Sequence, residues 1–242
     1  MTATQQLAVV TGGSAGLGLE LVRALASDGW RVITDARDRA RLDVAVGALS
    51  GDVWPIAGDV TDPEHRTQLA AKVREIGRLD LLVHNASTLG PTPLPRLDQV
   101  GSDAFDAVWA TNAVAPALLT AALLPELVRA AGVVLAISSD AAVEHYEGWG
   151  LYGASKAAAD HLTLTMGEEN PQLRTYAVDP GDMRTQMHQD AFPGEDISDR
   201  PLPQTVVPQL MKLIASRPAN GRYRVADLVA DDAAPNAEAL TS

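Results

Sequence analysis

The chain has 242 residues, a formal net charge of −12, 46% apolar and 21% charged residues, and no cysteine. This is globular composition for one large domain or two small ones, and its acidity excludes a nucleic-acid partner, which would need a basic face. Lack of cysteine removes disulfides, thiolate metal sites and a cysteine nucleophile, and fits a reducing, cytoplasmic setting.

The first residues lack the basic start and apolar run of a signal peptide. Nowhere do about 18 apolar residues run uninterrupted, so no membrane span is expected. In chain order, residues 7–11 predict a strand ending in a glycine-rich turn, 17–27 a helix, 31–34 a strand and 39–49 a helix. There follow a strand at 53–57, a helix at 64–76, a strand at 80–83 and a long Ala- and Leu-rich helix at 105–130. A strand at 133–137, a helix at 151–166, a strand at 174–178, a helix near 204–215 and a weak strand near 223–226 complete the series. Short apolar strands alternating with helices specify a parallel sheet, because parallel neighbours need crossover connections. Right-handed crossovers make it a doubly wound α/β sheet of Rossmann type with helices on both faces. Residues 1–230 are expected to form that one domain, and the small, polar stretch 231–242 a fraying tail.

Thr11-Gly12-Gly13-Ser14-Ala15-Gly16-Leu17-Gly18 lies between the first strand and first helix. Glycines there let the backbone approach a pyrophosphate closely, with the helix N-terminus supplying N–H donors; a plain structural turn is the alternative. At the end of the second strand an acid favours a free ribose 2′-hydroxyl and an arginine favours a 2′-phosphate. The stretch is Thr34-Asp35-Ala36-Arg37. Strand alternation turns Asp35 away and leaves Ala36 where the acid would stand, so Arg37, with Ser14, points to NADP in preference to NAD. An ordinary solvated arginine is the competing reading.

Tyr152 and Lys156 are four residues apart on one predicted helical face. An ammonium beside a phenol stabilises the phenolate and would lower its pKa towards the range of a general acid or base. Ser139, thirteen residues before Tyr152, follows a strand at the carboxyl edge, where ligands of such sheets bind. Pro116 lacks an N–H, so the carbonyl of Asn112 loses its helical partner and can hold a water, unless the proline is only a packing kink.

Thr11 to Gly18, Asp59-Val60, Asn85-Ala86, Asn112, Ser139, Tyr152, Lys156, Pro180-Gly181 and Thr185, in that order, make the chain resemble the short-chain dehydrogenase/reductase family from residue 7 to about 226. The resemblance implies hydride transfer between NADP(H) and a ketone or secondary alcohol. Tyr152 would be the acid/base and Ser139 the carbonyl polariser. Lys156 would lower the tyrosine pKa and hold the nicotinamide ribose, and Asn112 would anchor a water. Gly12, Ser14, Gly16, Leu17, Gly18 and Arg37 would hold the phosphates, Asp59 and Val60 the adenine. Asn85, Ala86 and Ser87 would pack beside the cofactor, and Pro180, Gly181, Met183 and Thr185 would hold its nicotinamide end.

Three places depart from the family: His84-Asn85-Ala86-Ser87 stands for Asn-Asn-Ala-Gly, Asp179-Pro180-Gly181 for Asn-Pro-Gly, and Gly221-Arg222-Tyr223-Arg224 lacks a glycine-rich ending. The segment 183–203 reads as a covering lid, with Met187 and Phe192 as pocket residues. The five histidines show no metal-ligand spacing, so no metal is expected. The long helix and its successor imply a homodimer or homotetramer by the resemblance. A cofactor-binding redox sensor without turnover is the competing class, and such a protein would dispense with Tyr152 or Lys156.

Overall fold

A computed structural model describes residues 5–228; the expected tail at 231–242 lies outside the described residues. Strand β1 (Leu7–Val10), helix α1 (Gly16–Ser27), β2 (Arg31–Ala36), α2 (Arg39–Gly47), β3 (Asp52–Ala57), α3 (Pro63–Ile76) and β4 (Leu81–His84) form the first half. The second half comprises α4 (Ser102–Trp109), α5 (Ala115–Ala130), β5 (Val133–Ile137), α6 (Gly150–Glu169), β6 (Arg174–Asp179), α7 (Gln186–Ala191), α8 (Val207–Ser216) and β7 (Gly221–Arg224). The seven strands make one sheet in the order β3-β2-β1-β4-β5-β6-β7, every pair parallel. The chain leaves β1 towards one edge and returns to β4 on its other side. That reversal opens a crevice above the carboxyl ends of β1 and β4.

Period-two alternation sends successive strand residues to opposite faces, so both faces must be covered. Ala8, Val10, Val32, Leu81, Val83, Leu135 and Val178 pack against Leu21 and Leu25 of α1 and Leu210 of α8. Leu7, Val9, Ile33, Leu82 and Val134 pack instead against Leu69 and Val73 of α3 and Leu119, Leu123 and Leu127 of α5. At the amino edge the Asp80 carboxylate accepts from Leu7 N at 2.9 Å and pairs with Arg78, which fixes β1 against β4.

The expected single helix at 105–130 begins earlier and changes pitch. Residues 110–114 form a π turn between α4 and α5, in which Ala115 N donates to Ala110 O. Pro116 offers no N–H to the carbonyl of residue 112, and the wider turn accommodates that loss. Together α4, the π turn and α5 span 102–130 with a mean hydropathy of 1.6 over their most apolar window, long and apolar enough by length and composition to cross a bilayer. In this fold the row of Leu119, Leu123 and Leu127 covers the sheet, while Val114 and Leu118 are exposed.

Two further elements differ from expectation. The stretch 183–203 contains α7, which Thr185 opens as an N-cap, its hydroxyl accepting from His188 N at 3.2 Å. The last strand begins at Gly221, two residues before the expected start, because the Asn220 side chain accepts from Thr175 N at 3.1 Å and pins the chain beside β6 there.

His84 ends β4 fully buried, its Nε2 2.7 Å from Thr120 Oγ1. The Thr120 hydroxyl donates to Pro116 O at 2.9 Å, so its oxygen accepts and His84 Nε2 carries the proton. Burial, with the Lys156 cation as a second cause, pushes the imidazole down to about 3. A histidine of ordinary pKa near 6.5 in the unfolded chain binds a proton that the folded chain refuses between those values. Stability is therefore expected to fall as pH drops through about 6.5, by roughly 1.4 kcal/mol per pH unit from this group. Urea titrations between pH 6.5 and 4.5 test it: His84→Gln, which still offers a donor to Thr120, should show a shallower acid decline than the wild type. Equal slopes would remove His84 as the cause.

Candidate active site

The glycine turn is built by contacts that leave no room for side chains. Gly12 and Gly16 adopt φ of +74° and +55°, and a Cβ on Gly18 would fall 2.4 Å from both Asn85 Nδ2 and Gly12 O. Thr11 Oγ1 accepts from Asn85 N at 3.0 Å and Ala86 N at 3.1 Å, while Asn85 Nδ2 donates to Thr11 O at 2.8 Å and Gly12 O at 3.1 Å. Asn85 and Ala86 thus lock the turn to β4. Helix α1 starts directly behind it without a side-chain cap and without an acid in its first turn. Its N–H groups and dipole suit an anion. A Cβ on Gly16 would lie 3.6 Å from the Thr185 methyl, so Thr185 faces the turn across the crevice. Its hydroxyl oxygen accepts from His188 N as the α7 cap, which leaves the O–H able to donate.

The acids beside this turn are internally satisfied. Asp35 is buried, with Oδ1 accepting from Gly12 N at 2.9 Å and Oδ2 2.9 Å from His65 Nε2, which agrees with the alternation argument. Asp59 accepts from the backbone and hydroxyl of Thr61, both at 2.8 Å. Burial alone would raise its carboxyl, but those bonds and the charges of Arg37 and His65 bring it below its ordinary value. Arg37 is exposed at the end of β2, Ser14 is half-buried, and Val60 is buried behind Asp59. A dinucleotide with an anionic pyrophosphate and a 2′-phosphate fits this set: open N–H donors, a cradle without Cβ atoms, and one exposed guanidinium.

The catalytic candidates gather at the same edge. Tyr152 is buried on α6, with the Ser87 and Ser139 side chains beside its hydroxyl. Lys156 lies one turn on, its Nζ 5.6 Å from the Tyr152 ring centroid, and donates to Ile137 O at 2.8 Å. Burial lowers the ammonium to about 8, against a counter-pull from Asp160. The expected lowering of the tyrosine is corrected by the structure. Burial pushes the phenol well above its ordinary value; Asp140 and Asp179 add to this, and the two serines only partly offset it. The lysine amine is directed at a backbone carbonyl, so desolvation wins over its charge.

Asn112 is buried at the π turn, its Oδ1 accepting from Thr88 N at 2.9 Å and Ser87 Oγ at 3.2 Å, and its Nδ2 donating to Thr88 O at 2.8 Å and Ser155 Oγ at 2.9 Å. Its side chain therefore ties the segment after β4 to α6. Ser87, a departure from the family pattern, bonds Asn112 and stands beside the Tyr152 hydroxyl; the motif gave no sign of that arrangement. Ser139 Oγ donates to Asp140 Oδ1 at 3.0 Å and accepts from Ala141 N at 3.2 Å. Beyond β6, the Asp179 carboxylate accepts from Gly181 N at 2.9 Å and shapes the turn through Pro180. Met183 packs on the core beneath that turn.

Tyr152 is covered by apolar side chains: Leu89, Leu94, Ala141, Trp149, Met187 and Ala191. Trp149 meets the Tyr152 ring edge-on at 5.6 Å and touches Phe192 at 5.9 Å. Met187 and Phe192 thus stand where the sequence placed pocket residues, on α7 and at its end, and Trp149, at the start of α6, stands with them. A cleft of about 620 Å³ lies outside this cover, between Thr92-Pro93 and residues 189–196, and neither Ser139, Tyr152 nor Lys156 lines it. No group of three or more metal-ligating side chains occurs among the described residues.

Comparison with known proteins places this arrangement. The family pattern described as short chain dehydrogenase matches residues 6–196. An uncharacterized oxidoreductase of Saccharomyces cerevisiae is 34% identical over 182 residues, 74% of this chain and 71% of the relative. A short-chain dehydrogenase of Escherichia coli CFT073, solved in complex with NADPH, superposes with a TM-score of 0.84 at 28% identity, over 91% of this chain and 96% of that one. An alcohol dehydrogenase of the archaeon Thermococcus sibiricus, solved with 5-hydroxy-NADP, gives 0.80 at 26% identity, over 91% and 96%. On the sheet order, the glycine turn and these matches together, the chain belongs to the short-chain dehydrogenase/reductase family of oxidoreductases.

Proposed function

We propose that the protein is an NADP-dependent carbonyl reductase or alcohol dehydrogenase in which Tyr152 exchanges the proton. The observation that carries this reading is the buried Tyr152 with Ser139 and Ser87 beside its hydroxyl, followed one turn later by Lys156, at the sheet edge that also holds the glycine turn. A bound nicotinamide supplies or takes up the hydride. Gly12, Gly16, Leu17 and Gly18 would receive the pyrophosphate, and Arg37 with Ser14 the 2′-phosphate. Asp59 and Val60 would border the adenine, with Asn85, Ala86, Ser87, Pro180, Gly181, Met183 and Thr185 around the nicotinamide end.

The chain's own contribution is proton placement. A phenol held above its ordinary value stays protonated at neutral pH, which suits donation to a carbonyl oxygen as that oxygen gains negative charge. Ser139 would donate to the same oxygen and polarise it. The developing phenolate would be steadied by Lys156, which is protonated below about 8. Asn112 would hold α6 and the Ser87 segment in register. The apolar cover formed by Leu94, Trp149, Met187 and Phe192 would favour a hydrophobic ketone and exclude water. The exposed Val114 and Leu118 on the long helix and Leu162 on α6 would be buried by pairing with a second copy.

Oxidation of NADPH by ketones and quinones, followed at the nicotinamide absorbance with 9,10-phenanthrenequinone as the first probe, tests the activity. Tyr152→Phe should lower kcat about a hundredfold or more, while NADPH binding by fluorescence changes little; near-normal turnover would remove the assigned role. The reductive kcat/KM should decline as pH rises through about 8, where Lys156 loses its charge, and a profile flat to pH 10 would contradict it. Arg37→Asp should weaken NADPH by about tenfold through loss of a charge-assisted pair and leave NADH nearly unchanged. Equal weakening of both cofactors would count against a phosphate contact.

A further inference from the structure

Arg222, on β7, belongs to the segment in which the chain departs from its family, yet its guanidinium joins three elements of the site: the end of β5, helix α6 and the turn after β6. Nη2 donates to the Ser139 carbonyl at 2.7 Å and lies 3.7 Å from Asp179 Oδ2, and Nε donates to Asp160 Oδ2 at 3.3 Å. Each partner is one step from a site residue. The Ser139 carbonyl belongs to the residue whose hydroxyl stands beside that of Tyr152. Asp160 sits one helical turn after Lys156 and also accepts from Ser138 Oγ at 2.7 Å. Asp179, through its other oxygen, accepts from Gly181 N and so holds the Pro180-Gly181 turn. Both carboxylates are buried, and buried carboxylates need paired donors. Around them the structure offers Arg222, Arg224 at 3.9 Å from Asp179, and the more distant charge of Lys156.

Arginine is suited to this place by shape as well as charge. Its planar fork directs several N–H groups at fixed angles, whereas a lysine offers one compact ammonium on a flexible stem. A hub of this kind ties the strand end carrying Ser139, the helix carrying Tyr152 and Lys156, and the turn after β6 into one rigid unit. Displacing a reacting group by about 1 Å can cost on the order of a hundredfold in rate.

We propose that Arg222 is a positioning residue: it sets the Ser139 backbone, and with it the hydroxyl that would meet the substrate oxygen, relative to Tyr152. The proposal rests on the carbonyl-reductase reading above. It gives β7 a part in the reaction beyond closing the sheet, although Arg222 touches no reacting atom.

The test is a double-mutant cycle on single-turnover reduction of 9,10-phenanthrenequinone by NADPH, using Arg222→Gln, Ser139→Ala and the double variant. Arg222→Gln should slow the wild-type background by about tenfold or more, yet slow the Ser139→Ala background less than about twofold, because the residue through which it acts is already gone. A merely structural role would give equal losses in both backgrounds, and that result overturns the proposal, as does an unchanged rate in Arg222→Gln. Should Arg222→Gln fail to fold, Arg222→Lys keeps the charge without the fork and should show a smaller loss with the same dependence on Ser139; additive losses would again overturn it. A wild-type protein that oxidises NADPH with no carbonyl overturns both readings, while an active wild type with an unaffected Arg222→Gln overturns this one alone.

Discussion

The site depends on how closely the backbone of the first turn passes its neighbours. A Cβ on Gly13 would lie 1.9 Å from Thr34 Oγ1, and one on Gly18 would strike the Asn85 amide and the Gly12 carbonyl. Thr34 in turn donates to Val10 O at 2.8 Å, and Asn85 to Thr11 O. The end of β1 is therefore clasped between β2 and the residues after β4, and α1 can leave in only one direction. Its N-terminus is aimed across the crevice at the turn after β6. Everything on the opposite wall acquires its meaning from that fixed reference.

A chain of net charge −12 that is to hold an anionic cofactor has an electrostatic difficulty, and the structure resolves it locally. The acids nearest the crevice are given partners from within the fold. Asp35 is taken by Gly12 N and His65, Asp59 by Thr61, Asp179 by Gly181 N and Arg222, and Asp160 by Ser138 and Arg222. The bonds from Gly12 N, Thr61 N and Gly181 N do two tasks: each gives a carboxylate a donor and fixes the backbone of a loop beside the crevice.

Helix α6 carries most of the chemistry because successive turns of one rigid element keep its side chains in register. Tyr152, Ser155, Lys156 and Asp160 occupy its buried side. Burial has opposite effects on the two central groups: it makes the phenol harder to ionise and the ammonium easier to discharge. At neutral pH the phenol is neutral, while the ammonium, lowered only to about 8, keeps its charge.

Much of this was legible in local spacing. Alternation of short apolar strands with helices specified a doubly wound parallel sheet; glycines at 12, 16 and 18 marked the turn, and the four-residue step from Tyr152 to Lys156 put both on one helical face. Pro116 foretold the disturbed pitch at 110–114, because a missing N–H is a covalent fact. Alternation along β2 also turned Asp35 inward correctly. These features depend on neighbours in sequence, so the sequence by itself determined them. What it did not reveal depends on partners far away along the chain. Ser87 bonds Asn112 and stands beside Tyr152, and Arg222 reaches back 83 residues to the Ser139 carbonyl. The direction of the Tyr152 shift belongs to the same class: desolvation depends on what surrounds a group in space, and only tertiary packing decides that.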